Sequence, residues 1–434
     1  MKIDLSKIFD ELFPINRSLL GEGYDKSLKI LNRYINIKKL KYKSGSQIFD
    51  WKVPNEWVVK DAYIKFKKKR ILDYKNSNLH IINYSYSINK KLNLKNLKKI
   101  LHTIPNKPKY IPYITSYYKK NIGFCSSDNF KKRLKKGFYD CVIKTKFKSG
   151  YLVNGLSEIK GKSKKTNLIS TYLCHPSLAN NELSGPLVMI GLYNRIQDWK
   201  EKNFTYKFLI NPETIGSLCF LKSHGRYLKK NLNSGLVLTC LGGKKNYLSY
   251  KLSKNENSNL DRLLKLFKEK KIKLREYDPS EGSDERQYNS PGFDLPVGNI
   301  IRDGYMDYAG YHNSGDNKKY MNIKKIEDSI NIIEGVYKNL DLTLPIKRFM
   351  PYGELMLGKR NLYPTTNSDK TRNKSSDNSM GSREELNILL TILGYSDGKK
   401  NILDIIELKR LNPSKSFYIL KKSLKMKLLY FLNS

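Results

Sequence analysis

The chain has no run of about 18 apolar residues, which rules out a conventional membrane-crossing helix. Cysteine is sparse. The five residues (125, 141, 174, 219 and 240) are odd in number and nowhere spaced C-x-x-C, a pattern that points to reduced, buried thiols in a cytosolic protein. Acid is scarce against base: 40 Asp and Glu face 82 Lys and Arg, a net charge of +42. Such an excess invites a nucleic-acid partner. The lysines, however, are spread through every segment beside abundant Asn, Ile and Tyr. This reads as a codon bias toward A and T, with Lys filling solvated positions. Weak, salt-sensitive binding to polyanions still follows from it. Histidine is also rare, with five in the chain. His80, His102 and His224 stand in no polar cluster, which leaves His175 and His312.

What is present describes a folded protein of 434 residues, 39% hydrophobic with 31 Tyr. Asp4, Asp10 and Glu11 interrupt the apolar periodicity of the first residues. That makes the start an amphipathic helix and not a signal peptide. A second helix is expected over 24–35. From about residue 46 the pattern changes to short alternating strands. Residues 139–147 and 151–159 flank Ser149-Gly150 as an expected hairpin. Strand and helix then alternate from 160 to 350, which predicts an α/β core with a mixed, mostly parallel sheet. The expected layout is a core formed by 1–45 and 160–350, an inserted β-rich subdomain over 46–159, a linker over 351–381, and a winged-helix module over 382–434.

The chemistry gathers around LISTYLCHPSLANNELS, residues 168–184. An apolar, β-branched strand delivers His175 to its carboxyl end, where open α/β sheets place ligands. Glu213 in NPETIGS ends the next expected strand. Asp284 and Glu285 lie in EGSDERQY, and His312 lies in YHNSGDN. Two His with a carboxylate and an open position suit a hydrolytic zinc site, and a spare carboxylate suits the proton transfer. Each residue alone has a plainer reading. A loop His is more often a hydrogen-bonded structural residue, Glu213 could favour the start of a helix, and Ser283-Asp284 could be a turn.

Taken together, LFPINRSLLGEG (12–23), PYITSYYKKNIGFC (112–125), STYLCHPSLANNELSGP (170–186), GSDERQYNSPGFDLPVG (282–298) and YHNSGDN (311–317) resemble a bacterial family of aminopeptidase-like proteins. That family is often known only as a domain of unknown function, and its genes often lie near polysaccharide-biosynthesis genes. The resemblance implies a zinc-aminopeptidase-like core with an inserted β-rich subdomain and a C-terminal winged helix. It implies one or two zinc ions at His175, Asn181, Asp284 and His312, with Glu213 as catalytic base. Glu182 and Glu285 are expected as substitute ligands or as supports behind the ligands. Two positions depart from the family pattern. Its ANDNLSG string carries a metal-binding Asp where this chain has Asn181, and its CVGD string carries an acid where this chain has Gly243. The expected partner is a small peptide or an amide-bearing metabolite, with no membrane and no specific nucleic acid, and the winged helix is a candidate for homo-oligomer formation. Two other functions remain open: a ligand-binding relative that has lost catalysis, and a DNA-associated regulator working through the winged helix.

Overall fold

The computed structural model describes residues 3–268, 270–305, 307–363 and 383–432. Most of the expected linker lies outside the described residues.

An eight-stranded mixed sheet organises the core. Its strands are β1 (Lys38–Lys43), β2 (Tyr151–Ile159), β3 (Thr166–Tyr172), β4 (Thr205–Asn211), β5 (Leu232–Leu238), β6 (Leu248–Lys251), β7 (Ile272–Arg275) and β8 (Val297–Ile301), in the spatial order β1-β2-β4-β3-β5-β8-β6-β7. The central strands β4, β3, β5 and β8 run parallel. All of β3 and β4 is buried, because helices cover both faces. Successive residues divide between two cores. Ile169, Phe208 and Leu236 pack on the face covered by α1 (Leu5–Leu12), α2 (Glu22–Leu31), α3 (Ser184–Gln197) and α6 (Ile323–Leu340). Leu168, Leu209 and Val237 pack against α4 (Ile215–Asn231). A further helix, α5 (Asn259–Phe267), joins the first face.

The expected hairpin around Ser149-Gly150 does not form. Phe138–Lys148 pairs with Glu56–Phe66 and Ile88–Asn93 in a separate four-stranded antiparallel sheet. Across the turn, β2 enters the main sheet between β1 and β4. The turn is instead tied to β1's loop, with Ser44 N–H donating to the Gly150 carbonyl at 2.9 Å. Short-range turn chemistry lost to two longer ladders. As a result the inserted unit stops at 148, and 151–159 belongs to the core.

Ile346–Arg348 and Leu429–Phe431 form an antiparallel ribbon beside α7 (Arg383–Tyr395), α8 (Ile402–Lys409) and α9 (Pro413–Lys425). This winged helix is docked on the core. Arg262 on α5 bridges Asp404 at 2.7 Å and Glu407 at 2.6 Å, and Phe267 meets Phe417 edge-on at 5.2 Å. Phe417, Ile419 and Leu420 of α9 are buried. Among the described residues no helix is long and apolar enough to cross a membrane.

Candidate metal centre

The carboxyl ends of β3, β4 and β5 each turn through a left-handed, non-glycine residue: Ser177 (φ 51°), Thr214 (φ 63°) and Cys240 (φ 53°). For β-branched Thr214 this conformation is costly, and such strain persists where surrounding contacts enforce it. His312 is left-handed as well, at φ 52°. These four turns enclose the cleft.

His175 leaves β3 and is held from behind. One oxygen of Glu182 accepts its backbone N–H at 2.9 Å, and the other lies 2.5 Å from Nδ1. The buried guanidinium of Arg17 donates two hydrogen bonds to the His175 carbonyl, at 3.2 and 3.1 Å, and one to Leu12 O. With Nδ1 occupied, Nε2 faces the cleft, where Glu213 Oε2 lies 3.5 Å away. Burial opposes charge on His175, but Cys174 and Glu182 outweigh it and raise its pKa well above the usual value in the metal-free protein, so a cation at Nε2 has to displace a proton.

His312 sits across the cleft, with 5.6 Å between the two imidazole centres. Burial and the neighbouring His175 lower its pKa to about 3, so its ring is neutral and its lone pair available. Tyr311 stacks on it at 4.2 Å. Tyr113, carried by the inserted subdomain, meets both imidazoles edge-on, at 4.9 and 5.7 Å. Its N–H donates to the His312 carbonyl at 2.9 Å, so the insert fastens the His312 loop.

Asn181 lies in a π-helical turn, Ala179–Leu183, ahead of α3. Its backbone N–H and that of Asn180 donate to the Asp316 carboxylate at 2.9 and 2.7 Å. This contact joins the turn to the His312 loop. The side-chain Nδ2 of Asn181 donates to Tyr172 Oη at 3.2 Å, while Oδ1 is buried and has no hydrogen-bond partner among the described residues. A buried acceptor without a donor is costly unless a cation or ligand meets it.

Asp284 was expected as a metal ligand, but its oxygens are committed elsewhere. It accepts from Thr214 N at 2.6 Å, Asn211 Nδ2 at 2.8 Å and Ser217 Oγ at 3.1 Å. Burial, followed by the charge of Glu213, pushes it up to about 7. It braces the strained Glu213-Thr214 turn from below. Glu285 also points away. It pairs with buried Lys251 at 2.7 Å and accepts Ser283 N–H at 3.1 Å. Ser283 Oγ in turn donates to Glu213 Oε1 at 2.7 Å. Glu285 therefore supports the Glu213 carboxylate at one remove. Cys174, His175 and Glu182 form a compact trio of donor atoms within 4.8 Å of one another. That trio lies on the Nδ1 side, where Glu182 already closes the ring, and burial pushes the Cys174 thiol up to about 11. A cation is better placed on the Nε2 side.

Two imidazoles sharing one tetrahedral zinc, with Zn–N of about 2.0–2.1 Å, put their ring centres roughly 5 Å apart. His175 and His312 fit that spacing, and Asn181 Oδ1 supplies an unpaired oxygen. At position 243 an acid cannot simply be restored, since a Cβ there would lie 2.2 Å from Asp303 Oδ2. Sequence reasoning missed Arg17, Tyr113 and Asp316, although all three lie in strings that carry the family resemblance.

Residues 6–343 match the sequence profile of a domain of unknown function (DUF4910), and residues 345–430 match a winged helix-turn-helix. A Clostridium acetobutylicum protein, provisionally named for polysaccharide biosynthesis with an aminopeptidase-like domain, is 36% identical over 93% of this chain and 90% of its own. A crystal structure of a provisionally named peptidase from Clostridium acetobutylicum shares 33% identity over 99% and 96% of the two chains, with a TM-score of 0.84. BSAP, a zinc aminopeptidase from Bacillus subtilis, is similar in fold at 11% identity and a TM-score of 0.54, over 77% of this chain and 93% of its own. On the profile match and the extent of the Clostridium similarity, this chain belongs to the DUF4910 family, an aminopeptidase-like α/β fold with a C-terminal winged helix.

Proposed function

We propose that the protein is a zinc-dependent hydrolase of the aminopeptidase type, acting on a peptide bond or on an amide of a small metabolite. The observation that carries this reading is the facing of His175 and neutral His312, 5.6 Å between ring centres, with Glu213 Oε2 3.5 Å from His175 Nε2; the orphaned Asn181 Oδ1 lies in the turn that follows His175. His175, His312 and Asn181 would hold the ion. Zinc supplies Lewis acidity, polarising a carbonyl and lowering the pKa of water. Glu213 is the carboxylate facing the imidazole pair, and its half-buried side chain carries the proton from water to the leaving amine. Glu182 and Arg17 keep the His175 ring and backbone aligned. Asp284 and Ser283 hold Glu213 in position, and Tyr113 closes the cleft against solvent. The three-ligand set carries no formal charge, so zinc binds more weakly here than in a site with a bridging Asp. Glu213→Gln, assayed on a panel of amino-acid amides with zinc present, should abolish hydrolysis while leaving zinc binding intact. Equal turnover by the variant and the parent would refute the assignment.

Gly243 favours a second reading, a cleft that binds its ligand without cleaving it. Position 243 itself offers no carboxylate to a second metal, and a Cβ there would lie 2.2 Å from Asp303 Oδ2. A parent protein that binds zinc and yet hydrolyses no amide would select this reading. We place the protein in the cytoplasm, a reading supported by five buried, unpaired cysteines. Sequence-specific DNA recognition is not part of the proposal, because α9 spends its apolar face on packing. Homo-oligomer formation through the winged helix is retained as a proposal.

A further inference from the structure

A cavity of about 1040 Å³ lies between the core and the winged helix. Lys162 and Asn203, which help to line it, lie in the loops leading into β3 (from Thr166) and β4 (from Thr205). The cavity is therefore at the amino-terminal edge of the sheet, opposite the His175 cleft, and it shares no residue with that cleft. Its volume is at the upper end of ligand pockets, about 300–1,000 Å³, and it occupies a domain junction where such pockets concentrate.

Its lining combines aromatic rings with uncompensated cations. Trp199 comes from the end of α3, and Tyr430 and Phe431 come from the winged-helix ribbon. Lys200, Lys421 and Lys427 have no carboxylate partner among the described residues. The two acids in the lining are already engaged: Glu201 pairs with Lys162 at 2.8 Å, and Asp341 accepts from Asn203, Phe204 and Tyr206. Among the described residues, Lys421 Nζ reaches only an amide, Asn339 Oδ1, at 3.2 Å. Burial and the nearby Lys338 lower the pKa of Lys421, as expected where like charges gather without a counter-anion.

From this we infer that the cavity is a binding site for a nucleoside diphosphate or a similar phosphorylated ring compound. The phosphates would meet Lys200, Lys421 and Lys427, and the ring would lie against Trp199 and Phe431. Because core and winged helix each supply part of the lining, occupancy ties the two together. That gives the docked module a role independent of DNA.

The test uses the full chain, with Trp199 fluorescence and calorimetry, against ADP, UDP, adenosine, pyrophosphate and short single-stranded oligonucleotides at two salt concentrations. Saturable binding of one nucleoside diphosphate per chain is expected, at least about tenfold tighter than adenosine or pyrophosphate alone. Lys421→Gln/Lys427→Gln should weaken it about tenfold. Lys98→Gln/Lys99→Gln, exposed on the inserted subdomain, should not, and Trp199→Phe should remove the fluorescence change. The inference fails if no nucleotide saturates the protein. It fails if both lysine pairs weaken binding equally, which would mark general polyanion binding by a +42 chain. It also fails if affinity rises with oligonucleotide length and diphosphates do not compete.

Discussion

Glu182 grips His175 at two points, accepting its backbone N–H at 2.9 Å and lying 2.5 Å from its Nδ1. The pair fixes both the position and the orientation of the imidazole, and turns Nε2 toward Glu213 and His312. Outer carboxylates of this kind set the orientation and basicity of a metal-binding ring. Glu182→Gln keeps the volume but replaces one acceptor with a donor. Zinc affinity should fall roughly 10- to 100-fold with the fold intact, read by calorimetry and circular dichroism. Unchanged affinity would show that Nδ1 needs no anion.

Arg17 is a buried cation whose hydrogen bonds all go to main-chain carbonyls, two of them to His175. Arg17→Met leaves the His175 carbonyl unpaired, at about 1–3 kcal/mol, while Leu12 O keeps the Ile15 N–H at 3.2 Å. The expected loss is about 1–3 kcal/mol in chemical denaturation, together with weaker zinc binding. A loss of stability without any change in zinc affinity would confine Arg17 to a packing role.

Asp284 and Glu213 are coupled. The folded pKa of Asp284 is raised from 3.8 to about 7, by burial first and by Glu213 second. The unfolded chain releases this proton near pH 3.8 while the folded chain retains it. This group's contribution is therefore full below 3.8 and is lost as pH rises toward 7. Removing the Glu213 charge lowers the folded value. In Glu213→Gln, metal-free protein should lose less stability across that window than the parent, as measured by melting temperature against pH. Parallel curves would show that the two carboxyls do not interact.

Much of this was legible in the sequence, and the failures have physical causes. The buried runs at 168–173 and 206–210 and the helix over 323–340 stand out because their apolar content is unbroken or regularly spaced. The turn at Ser149-Gly150 misled, because a local hairpin signal cannot reveal longer competing ladders. Asp284 carries the right chemistry, but only three-dimensional packing shows its oxygens filled by Asn211, Thr214 and Ser217. Arg17 and Tyr113 reach the site over separations of 158 residues and more than 60 residues respectively, which no spacing rule encodes.

In the proposed site Asn181 is a neutral ligand where an Asp would carry charge. Attraction between unit charges about 4 Å apart, at an effective dielectric of about 20, is about 4 kcal/mol, and a third of that is about tenfold in affinity. Asn181→Asp should therefore tighten zinc binding about tenfold or more, measured by competition with a chromophoric chelator. A weaker or unchanged affinity would place Asn181 Oδ1 outside the metal's reach.

The most direct measurement is zinc binding by the purified, folded chain at neutral pH, compared with His175→Ala and His312→Ala. The account predicts saturable binding by the parent that is lost in both variants, while all three proteins keep the same far-ultraviolet dichroism. A folded parent that takes up no zinc, or folded variants that take it up as the parent does, would contradict it.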